Sequence, residues 1–269
     1  MRRLACILGA ALACGIGGMT AAGLFYTPYG YNEMDLSRRF LPPGPPHLMG
    51  TDSFGRDVFS RVMIGGRYTL AVAAAAVLSS AAIGITLGMI CGYTGGLLDE
   101  GVLRLMDGLS SFPGILLALS LFSLMGNSPF TLCTALCALF VPSYVRITRN
   151  GMLRYKRADF TSAARAMGAS GLRVMFIHIL PNLGPTLFSA VALGFSNAIL
   201  AESAMSYLGF GVQPPFPSWG RMLAESQNVL FNAPWCALAP GTVIALTVIA
   251  FHSLDSASPR FTGAQAQRR

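Results

Sequence analysis

Few side chains in this sequence are typed and spaced for covalent chemistry. Its 269 residues hold three histidines, His47, His178 and His252, too far apart along the chain to read as a metal site. The six cysteines, Cys6, Cys14, Cys91, Cys133, Cys137 and Cys236, lie in or at the ends of apolar stretches, and none forms a Cys-x-x-Cys pair. Cys133 and Cys137 share a helical spacing without a histidine or carboxylate beside them, the pattern of small apolar packing residues. Lys156, the single lysine, stands in Arg-Tyr-Lys-Arg-Ala rather than in Gly-x-x-x-x-Gly-Lys-Ser/Thr, so the chain carries no phosphate-cradling loop. No Ser/His/Asp or paired-carboxylate arrangement offers hydrolysis. The acids fall in loops or at the ends of apolar runs, not mid-span where an ion-coupled carrier places its relay. What the sequence offers is a set of residues suited to contact and close packing, with no enzyme site, metal site or bound cofactor.

The richest of these runs from Asp159 to Pro181. Phe160, Ala163, Ala164 and Met167 recur at helical spacing, predicting a helix of about two turns whose start Asp159, Thr161 or Ser162 can cap. Gly168-Ala169-Ser170-Gly171 breaks it. A second amphipathic run places Leu172, Met175, Phe176 and Ile179 on one face, and Pro181 punctuates its end. Alone, helix, turn and helix flanked by arginines is also how a DNA-binding module looks. Apolar runs immediately before (129–145) and after (183–201) turn the reading toward a cytoplasmic loop that touches a protein partner, with no nucleic acid.

Composition sets the elements that must hold this loop. The chain is 53% hydrophobic and 11% charged, against roughly 25% charged for a soluble domain. About six spans of ~20 residues would use nearly all of it. The fold class expected is therefore all-α, a polytopic membrane protein with a helix hairpin between spans four and five. The spans are read at 4–25, 68–91, 109–125, 130–147, 183–205 and 233–251, with 92–107 as a short loop. The first apolar run follows Arg2 and Arg3 and resembles a signal peptide in outline, but its length favours a retained span. Three units follow: 1–67, a first helix and an extracytoplasmic segment; 68–254, the five-helix remainder with the loop 146–182; and 255–269, a polar tail.

Charge orients the spans. The loop 146–182 carries seven basic residues, Arg146, Arg149, Arg154, Lys156, Arg157, Arg165 and Arg173, against the lone acid Asp159. The segment after span five carries only Arg221, while the segment 26–67 breaks the trend with five arginines against four acids. Positive-inside weighting places both termini in the cytoplasm. In span two, Ser80, Gly84, Gly88 and Gly92 recur every fourth residue, predicting a smooth ridge for a neighbouring helix.

Three separated motifs carry a family resemblance. Ala163-Ala164, Gly168, Leu180 and Pro181 resemble the cytoplasmic signature loop of bacterial ABC-importer permeases, which begins Glu-Ala-Ala; Ser162 stands where the Glu would be. Gly50-Thr51-Asp52, Gly55-Arg56-Asp57 and Ser60-Arg61 resemble the segment after the first span in the peptide and nickel branch. Glu202-Ser203, Gly209-Phe210-Gly211 and Pro217-Ser218-Trp219-Gly220 resemble its outer loop. The resemblance implies a second, C-type permease in the bacterial inner membrane, half of a pathway for small peptides, nickel or nickel chelates. It implies a non-identical permease as partner, one or two ABC ATPase subunits that hold the ATP and magnesium, and an extracytoplasmic binding protein. Asp159, Ser162, Ala163, Ala164, Met167, Gly168, Ala169, Leu180 and Pro181 would meet the ATPase. The motif at 50–61 would cap the outer mouth of the bundle rather than bind a ligand. Relatives end in a short acidic and basic motif, of which Asp255 and Pro259-Arg260 remain. The alternative is a channel-like or scaffold membrane protein that uses the same helices without an ATPase.

Overall fold

The computed structural model describes residues 2–255, and the only regular secondary structure there is helical. The tail from 256 onward, with Pro259-Arg260, lies outside the described residues. Nine helices follow in order: α1 Arg2–Ala22, α2 Val58–Thr94, α3 Gly96–Ser111, α4 Gly114–Met125, α5 Pro129–Lys156, α6 Asp159–Ala166, α7 Gly171–Tyr207, α8 Trp219–Ser226 and α9 Trp235–Asp255.

Four of them, α2, α5, α7 and α9, are long and apolar enough to cross a membrane; α3 and α4 make a fifth if taken together, and α1 adds a shorter apolar run, Ile7–Ala22. Against the six spans expected, the described residues thus hold four helices long enough to cross, a bent pair that could make a fifth, and one shorter apolar helix. The bend between α3 and α4 is 92°. Its cause is local: Phe112 is extended (φ −80°, ψ 134°), as a residue preceding proline prefers, and Pro113 has no N–H with which to continue α3.

Several boundaries differ from those read in the sequence. The stretch 92–107 is not a loop: α2 runs to Thr94 and α3 starts at Gly96. Its acids misled, because Asp99 and Asp107 are paired with arginines of another helix. Asp99 forms a two-pronged ion pair with Arg149 of α5 at 2.5 and 2.6 Å, and Asp107 meets Arg146 at 2.7 Å. The unit boundary at 67/68 falls inside α2, which begins at Val58 because Asp57 accepts the N–H of Ser60 at 2.7 Å and caps it. Pro181 ends nothing. Helix α7 passes through it to Tyr207, a length of about 55 Å at 1.5 Å per residue. Just before it, Val174–Ile179 is wound as a π-helix, and the Leu180 N–H bonds back to Met175 rather than to Phe176. That wider turn accommodates the proline, whose ring would crowd the carbonyl four residues earlier in a regular α-helix.

Helix α2 lies along α5 in the most extensive interface of the chain, and α7 and α9 complete the bundle around them. At the end where α2 begins the core gathers Val58, Val62, Trp219, Ala233 and Cys236; at the other, Met89, Met152, Val174, Met175, Ile179 and Leu183 close a separate cluster.

Candidate functional site

The residues singled out in the sequence fall into three groups, one at each end of the bundle and one along its middle. The middle group is the small-residue ridge. Ser80, Gly84, Gly88 and Gly92 are buried on the side of α2 that faces α5. A methyl group at Gly88 would sit 2.6 Å from the Val145 carbonyl oxygen and 2.8 Å from the Thr148 Cβ. At Gly92 it would sit 2.6 Å from the Met152 Cβ. These are backbone and Cβ atoms, which no rotamer change can move aside. The two helices touch main chain to main chain, the contact that drives association in lipid.

The loop between α5 and α7 supplies the second group. Helix α6 starts after Ala158, which makes no side-chain cap. The expected cap by Asp159, Thr161 or Ser162 is therefore absent: Asp159 and Ser162 are exposed, and the Thr161 hydroxyl turns inward to donate to the Tyr155 carbonyl at 2.8 Å. The face read from spacing also splits. Ala164 is 2% exposed and Thr161 is fully buried, whereas Phe160, Ala163 and Met167 point outward, Met167 at 81% exposure. A three-residue step, Thr161 to Ala164, seats the helix, and the apolar stripe beside it is left bare. Gly168 takes φ +84° with open space around it, so the chain reverses there through a conformation that glycine enters at little cost. Ala169 tucks against the inner cluster, and Ser170 caps α7 by accepting the Arg173 N–H at 3.4 Å. Of the second amphipathic run, Met175 and Ile179 are buried while Leu172 and Phe176 are exposed; the π turn shifts the inward face to Val174, Met175 and Ile179. Leu180 is half-buried and Pro181 exposed.

The third group builds the end of the bundle where α2 begins. Gly50 and Gly55 both take positive φ and turn the segment before α2 back on itself, with Thr51 bridged to Asp57. Gly50 lies under the Trp235 ring, and Trp235 donates its indole N–H to the Thr51 carbonyl at 3.1 Å. Asp52 holds Arg56 at 2.7 Å, and both Arg56 and Arg61 reach Glu225 of α8 at 2.9 and 2.8 Å. These are not local surface pairs. The two arginine side chains are 8% and 3% exposed, and their common partner lies more than 160 residues away, so the network is a buried tie between α2 and α8. His47 and Asp57 pair beside it at 2.9 Å.

Glu202 was read as part of an outer loop. It lies instead within α7, fully buried, where its carboxylate accepts the Ser206 hydroxyl at 2.7 Å and bonds with Ser203 and Thr69. Thr69 in turn accepts the Trp219 backbone N–H at 3.2 Å, and the Trp219 indole donates to the Val62 carbonyl at 2.9 Å. Gly211 abuts Ser206, Gly220 abuts Ser203, and Gly209 turns with φ +90°. One buried carboxylate thus joins α7, α2 and the start of α8. Its four-residue spacing to Ser206 was the available signal. Nothing in the sequence marked Tyr93, whose contacts are described below.

Comparison with known proteins identifies the kind of bundle these three groups hold together. Residues 84–260 match the family described as binding-protein-dependent transport system inner membrane component. The chain belongs to that family. It is 39% identical over 229 residues to the dipeptide transport system permease protein of Alkalihalophilus pseudofirmus, covering 85% of this chain and 75% of that protein. To the dipeptide permease protein of Haemophilus influenzae it is 37% identical over 234 residues, 85% and 79% of the two chains. To the glutathione transport system permease protein of Pectobacterium atrosepticum it is 37% identical over 223 residues, 83% and 74%. The chain is accordingly a multi-pass inner-membrane permease of the peptide type of ABC importer, a transporter subunit rather than an enzyme. The family's own description makes such a component dependent on a binding protein.

Proposed function

We propose that this permease forms half of the translocation pathway for a small peptide and is driven by a separate ABC ATPase that docks on α6. Dipeptides and glutathione are the cargoes named for its relatives, which favours a short peptide over nickel or a nickel chelate. The other half of the pathway is a second, non-identical permease. ATP and magnesium stay on the ATPase. Both termini lie in the cytoplasm, on the side of the basic segment around Arg154, Lys156 and Arg157.

One observation carries the ATPase reading. Phe160, Ala163 and Met167 form an exposed apolar stripe on a helix that is itself seated on a buried cluster. Apolar side chains held out on a rigid two-turn helix, beside a small alanine that lets another backbone approach, suit a protein groove. Ala163→Arg tests it, since Ala163 faces outward, whereas an arginine at Ala164 would be forced into the chain's own interior. The variant should insert and pair with the second permease, yet lose co-purification of the ATPase in detergent and lose uptake. Retention of the ATPase at wild-type strength would refute docking on α6.

A further inference from the structure

The exposed stripe of α6 says where force would enter the permease; the contacts behind it say where that force would go. Helix α6 is short, and few contacts join it to the bundle. Two aromatic side chains lie against it, Tyr155 of α5, whose ring meets Phe160, and Tyr93, the penultimate residue of α2. The Tyr93 ring carries two cations, the Lys156 ammonium 5.3 Å from its centroid and the Arg165 guanidinium at 5.4 Å. Lys156 ends α5 and also donates to the Tyr93 carbonyl. Arg165 sits in the last turn of α6. The ring edge and hydroxyl press on Gly171, the first residue of α7, where an added methyl would come 3.0 Å from the oxygen. The ring also packs beside the inner apolar cluster of Met89, Met152 and Val174. One side chain at the end of α2 therefore touches the end of α5, the body of α6 and the start of α7.

We infer that Tyr93 is the positioning residue through which displacement of α6 reaches α2, beside the direct contacts of α6 with α5 and the start of α7. The inference rests on the ATPase reading given above. A load on α6 meets Tyr93 through Arg165, and Tyr93 belongs to α2. Helix α2 cannot yield alone, because Gly84, Gly88 and Gly92 lock it against the backbone of α5. At its far end α2 carries Arg61, tied to Glu225 of α8. Motion of the loop is thus delivered to a rigid α2–α5 pair that runs to the opposite face. Without the ring, α6 would still present its stripe but would lose this contact with α2.

The test uses the full transporter, purified with its partner permease, ATPase and binding protein and reconstituted in vesicles. Uptake of radiolabelled dialanine and of glutathione is measured alongside ATP hydrolysis. Tyr93→Leu keeps an apolar side chain in the cluster and removes the ring face; Tyr93→Phe keeps the ring. The leucine variant should retain the ATPase on co-purification and should still hydrolyse ATP. Its uptake per ATP should fall roughly fivefold or more, the lower end of ordinary coupling between sites. The phenylalanine variant should stay close to wild type. Unchanged uptake per ATP in Tyr93→Leu, loss of the ATPase from it, or an equal loss of coupling in Tyr93→Phe would each overturn the assignment. A wild-type complex that binds the ATPase on a surface other than α6, or moves neither peptide, would instead overturn the reading on which it rests.

Discussion

Gly88→Ala sets two opposing magnitudes against each other. Replacing a helix-interior glycine by alanine stabilises an unhindered helix by about 1 kcal/mol. At Gly88 the new methyl would lie 2.6 Å from the Val145 carbonyl oxygen, 2.8 Å from the Thr148 Cβ and 3.1 Å from the Arg149 nitrogen. All three belong to the frame of α5, so α2 and α5 must part. Overpacking of this kind costs about 1–3 kcal/mol. The balance is a net destabilisation of up to about 2 kcal/mol. Gly88→Leu, with more atoms to place, should lie beyond that range. Gly101 of α3 serves as the control, because nothing lies within 4 Å of a methyl built there and only the helix-propensity gain remains. Thermal unfolding of the purified chain in detergent, followed by loss of the monodisperse peak, should rank Gly101→Ala, wild type, Gly88→Ala and Gly88→Leu in falling order. A Gly88→Ala protein as stable as the Gly101→Ala protein would refute the close-contact account.

Thr148 lies in the same seam with a buried hydroxyl that has no hydrogen-bond partner, so Thr148→Val should raise stability by about 1 kcal/mol in the same melt. Gly168→Val forces a β-branched side chain to φ +84° and should cost about 1–3 kcal/mol of local order; Gly168→Asn, which tolerates that region, should keep more of the ATPase on co-purification. In the outer network, Glu225→Gln leaves Arg56, Arg61 and Arg221 facing Asp52 alone, whereas Arg61→Met leaves two arginines facing two acids. The glutamine variant should therefore be the less stable of the two, with an uncompensated buried charge costing about 3 kcal/mol or more. Topology is checked by cysteines introduced at Arg157 and Pro215: an impermeant reagent should reach the first from the cytoplasmic side and the second from outside.

The long apolar runs were legible because lipid demands them, and the ridge at Gly84, Gly88 and Gly92 was legible because four-residue spacing is a property of the helix itself. Helix α3 was missed because Asp99 and Asp107 look like loop residues until Arg149 and Arg146 of α5 are set opposite them. The tie between Arg61 and Glu225 was not legible for the same reason; no local window joins residues so far apart. Glu202 was legible as a motif but misplaced, since its partners Thr69 and Ser206 come from two different helices. In α6 the spacing found the right helix and the wrong face. Seating is decided by Thr161 and Ala164 against the rest of the chain, and neither polarity nor period says which apolar residue will be covered.

The wide turn at Val174–Ile179 has a consequence for how this chain can vary in length. A π turn fits one residue more than an α-helix uses over the same rise, while the segments on either side keep their mutual orientation. Anywhere else in α7, deleting a residue would swing everything on one side of the cut by about 100° relative to the other. Within 174–179 a single deletion would restore plain α-winding and leave both ends aimed as before. Pro181 would then crowd the carbonyl four residues earlier and favour a kink, a placement that Pro142 in α5 and Pro240 in α9 already show this bundle can hold. Length can therefore vary by one residue at this turn at the cost of a proline kink, whereas elsewhere in α7 the same change would re-aim one half of the helix.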